Sequence, residues 1–154
     1  MLAAMIWRLL VAGEPRLAFA RLGCEDYLQR LTRFARFEIR YLPVNRPDLL
    51  TTRFLSESSG SFRIVLDERG ELLNSRQFSQ LIQQRQNAGT RVVSLLVGPA
   101  DGWQESVRSA ADLLLSLSPL TLQHELALVV LLEQLYRGFS ILAGTPYHRS
   151  PDCL

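Results

Sequence analysis

A chain of 154 residues, 47% of them hydrophobic, holds enough apolar material for one packed core and leaves little room for a second; residues 1–154 read as a single domain. Its 17 basic residues, every one an arginine, stand against 15 acidic ones, and the resulting net charge of +2 permits a polyanionic partner without demanding one. Two cysteines, Cys24 and Cys153, exclude a disulfide framework and fit a reduced, cytoplasmic setting, while His124 and His148 do not stand at zinc-ligand spacing with either, so no structural metal is expected.

The first residues form an apolar run, but Arg8 interrupts it and no basic stretch precedes it, so a buried first strand over 6–11 is expected instead of an export signal. Apolar residues at helical spacing over 17–34 predict a helix with Arg30 and Arg33 on its polar side. A second strand follows over 37–42, broken by Asn45-Arg46-Pro47, then a short helix over 48–57 that the Ser58-Ser59-Gly60-Ser61 cluster ends. Residues 62–66 read as a third strand with Asp67-Glu68-Arg69-Gly70 as its turn. Ser75 is the expected N-cap of a helix to about Gln86, stopped by Asn87-Ala88-Gly89.

The run over 91–97, RVVSLLV, is mostly apolar, as a central parallel strand covered on both faces should be. A tight loop over 98–102 leads to a helix expected over 106–115, then to a short apolar segment over 117–122 that Pro119 breaks. The final helix, expected over 125–143, is apolar nearly all round, with Leu126, Val129, Val130, Leu132 and Leu135 spread over more than one face. That pattern predicts burial on several sides and a subunit interface. No stretch reaches transmembrane length without a charge or turn signal, so no membrane is expected. Strand–helix alternation argues for an α/β domain built on a largely parallel sheet.

Common chemical motifs are missing. The turn after the first strand has a single glycine, Gly13, where a dinucleotide fold carries several, and there is no Gly-Lys-Ser loop or Gly-x-Ser-x-Gly elbow. Two features stand out. Turns suited to a ligand follow two strands, at 67–70 and 98–102. The carboxy-terminal Tyr147-His148-Arg149 sets an aromatic plane, a titratable ring and a guanidinium side by side, a combination that suits a splayed-out RNA base and its phosphate.

The last third of the chain resembles a known family. Leu115 to His124 (LSLSPLTLQH) is similar to that family's Ser-Leu-Ser-x-Leu-Thr-Leu-Pro-His segment. Glu133 to Phe139 (EQLYRGF) resembles its Glu-Gln-x-Tyr-Arg-Ala-Phe helix, and Pro146 to Arg149 its Tyr-His-Arg end. Upstream, Ile64 to Gly70 matches its Leu-Asp-x-x-Gly turn and Val93 to Gly98 its next strand and glycine loop. The family is the large-subunit ribosomal RNA pseudouridine N3-methyltransferases, small members of the SPOUT superfamily.

The resemblance implies a parallel sheet with a C-terminal trefoil knot, a homodimer, S-adenosyl-L-methionine as cofactor, and ribosomal RNA within the assembled ribosome as substrate. Carried over residue by residue, it implies that Leu66, Gly98, Leu117, Ser118, Pro119, Leu120, Thr121 and Leu122 bind the cofactor. It also implies that His148 meets the target base or takes its proton, Tyr147 stacks or hydrogen-bonds, and Arg149 or Arg137 holds phosphate. Four positions depart from the family pattern. Pro99 replaces a second glycine and removes a backbone donor. Leu128 stands where the family has an arginine, which implies a lost phosphate contact. Gln123 replaces a proline before the histidine, and the connection between the second and third strands is shorter and less basic. A non-catalytic RNA-binding or ribosome-assembly module on the same fold is the alternative these departures leave open.

Overall fold

The structure, a computed structural model, describes residues 4–149, so Cys153 lies outside the described residues. Five strands, β1 (Ile6–Ala12), β2 (Arg36–Leu42), β3 (Phe62–Leu72), β4 (Val92–Val97) and β5 (Leu113–Ser116), form one sheet in the order β2-β1-β4-β3-β5. Every pairing is parallel. The helices are α1 (Ala18–Leu31), α2 (Pro47–Glu57), α3 (Ser75–Asn87), α4 (Glu105–Ser109) and α5 (His124–Ala143).

The period-2 alternation of a strand distributes β1 between two cores. Trp7, Leu9 and Val11 face a large cluster built with α1, α3 and α5, whereas Leu10 and Ala12 face a smaller one with Leu50 and Phe54 of α2 and Val107 of α4. Trp7 stacks on Phe37 at 6.3 Å and meets Phe139 edge-on at 5.5 Å. Cys24 is sealed in the larger core, where burial, reinforced by Glu125 and Glu25, pushes its thiol up to about 11 and leaves it unreactive. Helix α5 has the length and apolarity of a membrane span. Its burial against α1, α3 and the sheet accounts for that composition, since Leu128, Leu131, Leu132, Leu135 and Phe139 all face protein.

The β2 edge of the sheet carries alternating charge. Glu38 receives Arg8 at 3.2 Å and Arg36 at 3.2 Å, and Arg40 reaches Glu57 of α2 at 3.5 Å.

Three local expectations fail, each for a physical reason. The chain does not turn at Asp67–Gly70; β3 continues to Leu72, and these four residues form an irregularity during which Leu115 pairs first with Leu66 and then with Glu71. The helix expected over 106–115 stops at Ser109, and Leu113–Ser116 is a strand instead, because Leu113, Leu114 and Leu115 pair with Ile64, Val65 and Leu66. Tertiary pairing overrides helical spacing in a short apolar run. Asn74, not Ser75, caps α3: its Oδ1 accepts the Gln77 N–H at 2.8 Å and Gln77 Oε1 accepts the Asn74 N–H at 2.8 Å, a reciprocal capping box.

Gly70 marks where the irregular part of β3 lies against β5. A Cβ there would sit 2.6 Å from the backbone N and C of Leu115, atoms that no rotamer change can move aside. Gly70→Ala should therefore destabilise the fold by about 1–3 kcal/mol, the range for overpacking a closed interior, as measured by chemical denaturation.

Candidate functional site

The β3–β4 ladder runs only from Phe62–Val93 to Val65–Leu96. Beyond it the chain ends splay apart, and a cleft of about 530 Å³ opens where Leu66–Arg69, Val97–Trp103 and Leu115–Ala127 come together. It lies at the carboxyl ends of parallel strands, the usual ligand position in open α/β sheets. Its volume falls within the range of small-molecule and cofactor sites.

The cleft unites most of the cofactor residues expected from the resemblance. Leu66, Gly98, Leu117, Ser118, Leu120, Thr121 and Leu122 all line it; Pro119 does not. The 117–122 segment is a loop between β5 and α5, shaped by its own side chains. Ser116 Oγ donates to the Ser118 carbonyl at 3.1 Å, and Ser118 Oγ accepts the Leu120 N–H at 2.9 Å. Among the described residues, 118–122 make no backbone–backbone turn bonds, so peptide groups remain for a ligand. Gln123 then caps α5, accepting the N–H groups of Glu125 and Leu126 at 2.9 Å each. The proline-to-glutamine departure thus supplies a helix cap.

The lining also includes Asp67, Glu68 and Asp101, from the two segments expected to meet a ligand, and Trp103, Arg108 and His124, which the sequence did not single out for the cofactor. Asp67 is nearly buried and accepts Arg108 Nε at 2.7 Å and the Arg69 N–H at 2.8 Å. Burial alone would raise its pKa, but the Arg108 hydrogen bond and the Arg69 N–H outweigh it, so the carboxyl lies below its ordinary range. The expectation for Gly98 changes its reason: a Cβ there would meet the Trp103 ring at 2.6 Å, so the glycine makes room for an indole of this chain. Pro99 accepts the Gly102 N–H at 3.0 Å and closes the loop. Leu128 is 1% exposed within the main core. An arginine there would be buried among leucines, so its loss removes no surface phosphate contact, and that expectation is corrected.

Tyr147, His148 and Arg149 do not line the cleft. Tyr147 and His148 gather instead around Glu133 and Arg137 of α5, while Arg149 is exposed. Glu133 Oε1 accepts Arg137 Nη2 at 2.6 Å, Arg137 Nε at 3.1 Å and the Tyr147 hydroxyl at 3.0 Å. Tyr136 and Tyr147 rings meet edge-on at 4.6 Å, and Tyr27 brings its hydroxyl to 3.4 Å from that of Tyr147. Burial, with Tyr27 and Glu133 adding to it, raises the Tyr147 pKa well above the usual phenol range.

Arg137 Nη1 lies 3.2 Å from His148 Nδ1. A guanidinium can only donate, so Nδ1 holds a lone pair and the ring proton sits on Nε2. Desolvation, Arg137 and Arg76 lower the His148 pKa below its ordinary value, with Glu133 opposing them. Arg137 stands 13 residues beyond His124, or about 20 Å along a helix. The cleft and the cluster around Glu133 are therefore separate places on this chain.

The family described as "Predicted SPOUT methyltransferase" matches residues 5–148. The chain belongs to the SPOUT methyltransferases. Proteins named ribosomal RNA large subunit methyltransferase H are among its relatives. One from Thermus thermophilus is 47% identical over 142 residues, covering 92% of this chain and 97% of the relative. The one from Deinococcus radiodurans is 36% identical over 141 residues, covering 92% and 97%. A crystal structure of a methylase family protein from Neisseria gonorrhoeae shares the fold at a TM-score of 0.53, with 13% identity over 97% of this chain and 87% of that one. The SPOUT assignment agrees with the parallel sheet and with a cleft at its carboxyl edge.

Asp67→Asn should cost about 1.5–3 kcal/mol, the range for a hydrogen bond to a charged group. Because the folded carboxyl titrates below its ordinary value, its contribution is complete above the unfolded pKa and disappears as pH falls through the folded one. Denaturation at neutral and at acidic pH should show the variant and the parent converging in acid.

Proposed function

We propose that this protein transfers the methyl group of S-adenosyl-L-methionine to N3 of a pseudouridine in large-subunit ribosomal RNA, acting on the assembled ribosome in the cytoplasm. The observation that carries this reading is the cleft at the ends of β3, β4 and β5. It offers what the cofactor requires: apolar walls at Leu66, Leu117 and Leu122, and peptide groups of the 117–122 loop that make no backbone turn bonds. Leu66, Gly98 and residues 117–122 would hold the cofactor, whose sulfonium supplies an already electrophilic methyl group. The family resemblance implies that this region of the chain forms a trefoil knot.

The cleft and the cluster around Glu133 are half-sites joined by a second copy of the chain. A face of α1 and α5 carries exposed Phe19 (52%), Leu22 (66%) and Leu126 (37%), an apolar surface suited to association. Leu132 and Leu135, expected in that interface from the sequence, are instead buried within the protomer. In the dimer, one copy's Tyr147–Arg149 end would complete the other copy's cofactor cleft.

His148, with Nδ1 committed to Arg137, presents Nε2–H to the flipped base as a donor, and the N3 proton passes to water as the methyl group is transferred and S-adenosylhomocysteine leaves. Tyr147 gives the base an edge or face, and Arg137 and Arg149 balance phosphate charge. Burial of Leu128 and the capping role of Gln123 remove two reasons for the non-catalytic alternative.

The deciding experiment is methyl transfer to ribosomes that lack the mark. Product is expected, and its absence with the cofactor demonstrably bound would leave only an RNA-binding module. His148→Gln, which keeps a side-chain N–H, should retain more activity than His148→Ala; equal loss would eliminate the donor role. Acid protonates His148 at Nδ1, below its ordinary pKa, and sets that nitrogen against the Arg137 guanidinium, so activity of the parent should hold at neutral pH and fall in acid as the ring loses its place. Leu22→Glu should shift sedimentation toward monomer and lower methyl transfer with it. A variant that stayed dimeric would place the interface elsewhere.

A further inference from the structure

Trp103 belongs to the loop between β4 and α4, outside the residues that the resemblance assigns to the cofactor. Its indole N–H donates to the Leu66 carbonyl at 2.6 Å. Its ring fills the space where Gly98 lacks a Cβ, with atoms 2.6–3.0 Å from an ideal Cβ position. The other side of the ring meets the fully buried Phe54 edge-on at 4.8 Å. One side chain thus touches the end of β3, the end of β4 and the core beneath them.

The location gives these contacts a specific consequence. The β3–β4 ladder stops at Val65–Leu96, and Leu66 and Val97 are the first residues past it on either side of the cleft. The Leu66 carbonyl has no β4 partner there. The indole N–H takes the place of the missing ladder bond, and the ring spans the gap over Gly98. Trp103 is also half-buried and lines the cleft, so a ligand between Leu66 and Gly98 alters its surroundings.

We propose that Trp103 is a positioning residue of the cofactor cleft, holding the splayed ends of β3 and β4 at the separation the cofactor requires. This rests on the cleft being the cofactor site. Preorganised walls lower the ordering cost of binding, so loosening them weakens affinity more than turnover. Trp103→Phe removes the N–H while keeping a ring over Gly98 and on Phe54. A single net hydrogen bond sets the expected effect at about three- to tenfold.

The test titrates S-adenosylhomocysteine into the full-length protein and its Trp103→Phe variant, by calorimetry and by tryptophan emission. Trp7 is sealed in the opposite core at 0% exposure and supplies a constant background. The parent is expected to bind with a change in emission. The variant is expected to bind about three- to tenfold more weakly without that change, and its KM for S-adenosylmethionine should rise by more than kcat falls. A parent whose emission stays constant at saturation overturns the proposal, even if the variant fails to fold. So does a variant with parental affinity, or one whose only defect is a lower melting temperature. A parent that shows no calorimetric binding overturns the cofactor-cleft reading itself, and the positioning role with it.

Discussion

The site depends on one backbone-to-backbone contact. Gly70 lies so close to Leu114 and Leu115 that there is no space for a methyl group between them. That approach fixes β5 against the irregular end of β3, and β5 leads directly into the 117–122 loop. Two segments nearly fifty residues apart become adjacent walls of one cleft. The close approach uses glycine for the absence of a side chain; its left-handed freedom is not involved, since Gly70 is not among the positive-φ glycines.

Helix α5 separates functions along its length. Its first turn, at His124 and Ala127, forms part of the cleft wall. Its second half carries Glu133, which gathers Arg137 and Tyr147 on one carboxylate oxygen. These contacts tie Tyr147 and His148 to the helix. The charge balance is local: Glu133 neutralises Arg137, and Arg137 in turn keeps His148 neutral through its claim on Nδ1. A ring held this way carries its one proton on Nε2.

Much of this was legible in the residues. The apolar run at 92–97 and the alternation of strands with helices read correctly because a covered parallel strand has little choice of composition. The resemblance picked out Leu66, Gly98 and residues 117–122, and one cleft gathers seven of those eight residues. Other features were hidden for identifiable reasons. Leu113–Ser116 has the same apolar composition in a helix or a strand, and only pairing with β3 decides between them. Asp67–Gly70 has the makeup of a turn but is held extended by β5. Leu128 looked like a lost surface contact because position within a motif does not reveal which way a helix faces. Gly98 was expected beside the cofactor, yet the group that fills the space of its missing side chain, Trp103, is five residues along the same chain. Nothing in a linear pattern marks a tryptophan as the partner of a glycine.

The charged border at β2 has a consequence for how copies of the chain can meet. A strand added alongside β2 would have to lie over Arg36, Glu38 and Arg40, whose charges already satisfy one another and would be stripped of water. Extension of the sheet from one molecule into the next is thereby discouraged, although β2 is itself an open edge. The apolar surface lies instead on the helical side, on α1 and α5. Association through a self-complementary patch closes after two copies, whereas pairing of the β2 edge of one copy with the β5 edge of the next would repeat without limit. The distribution of arginine and glutamate on one strand thus favours a bounded assembly over a fibre.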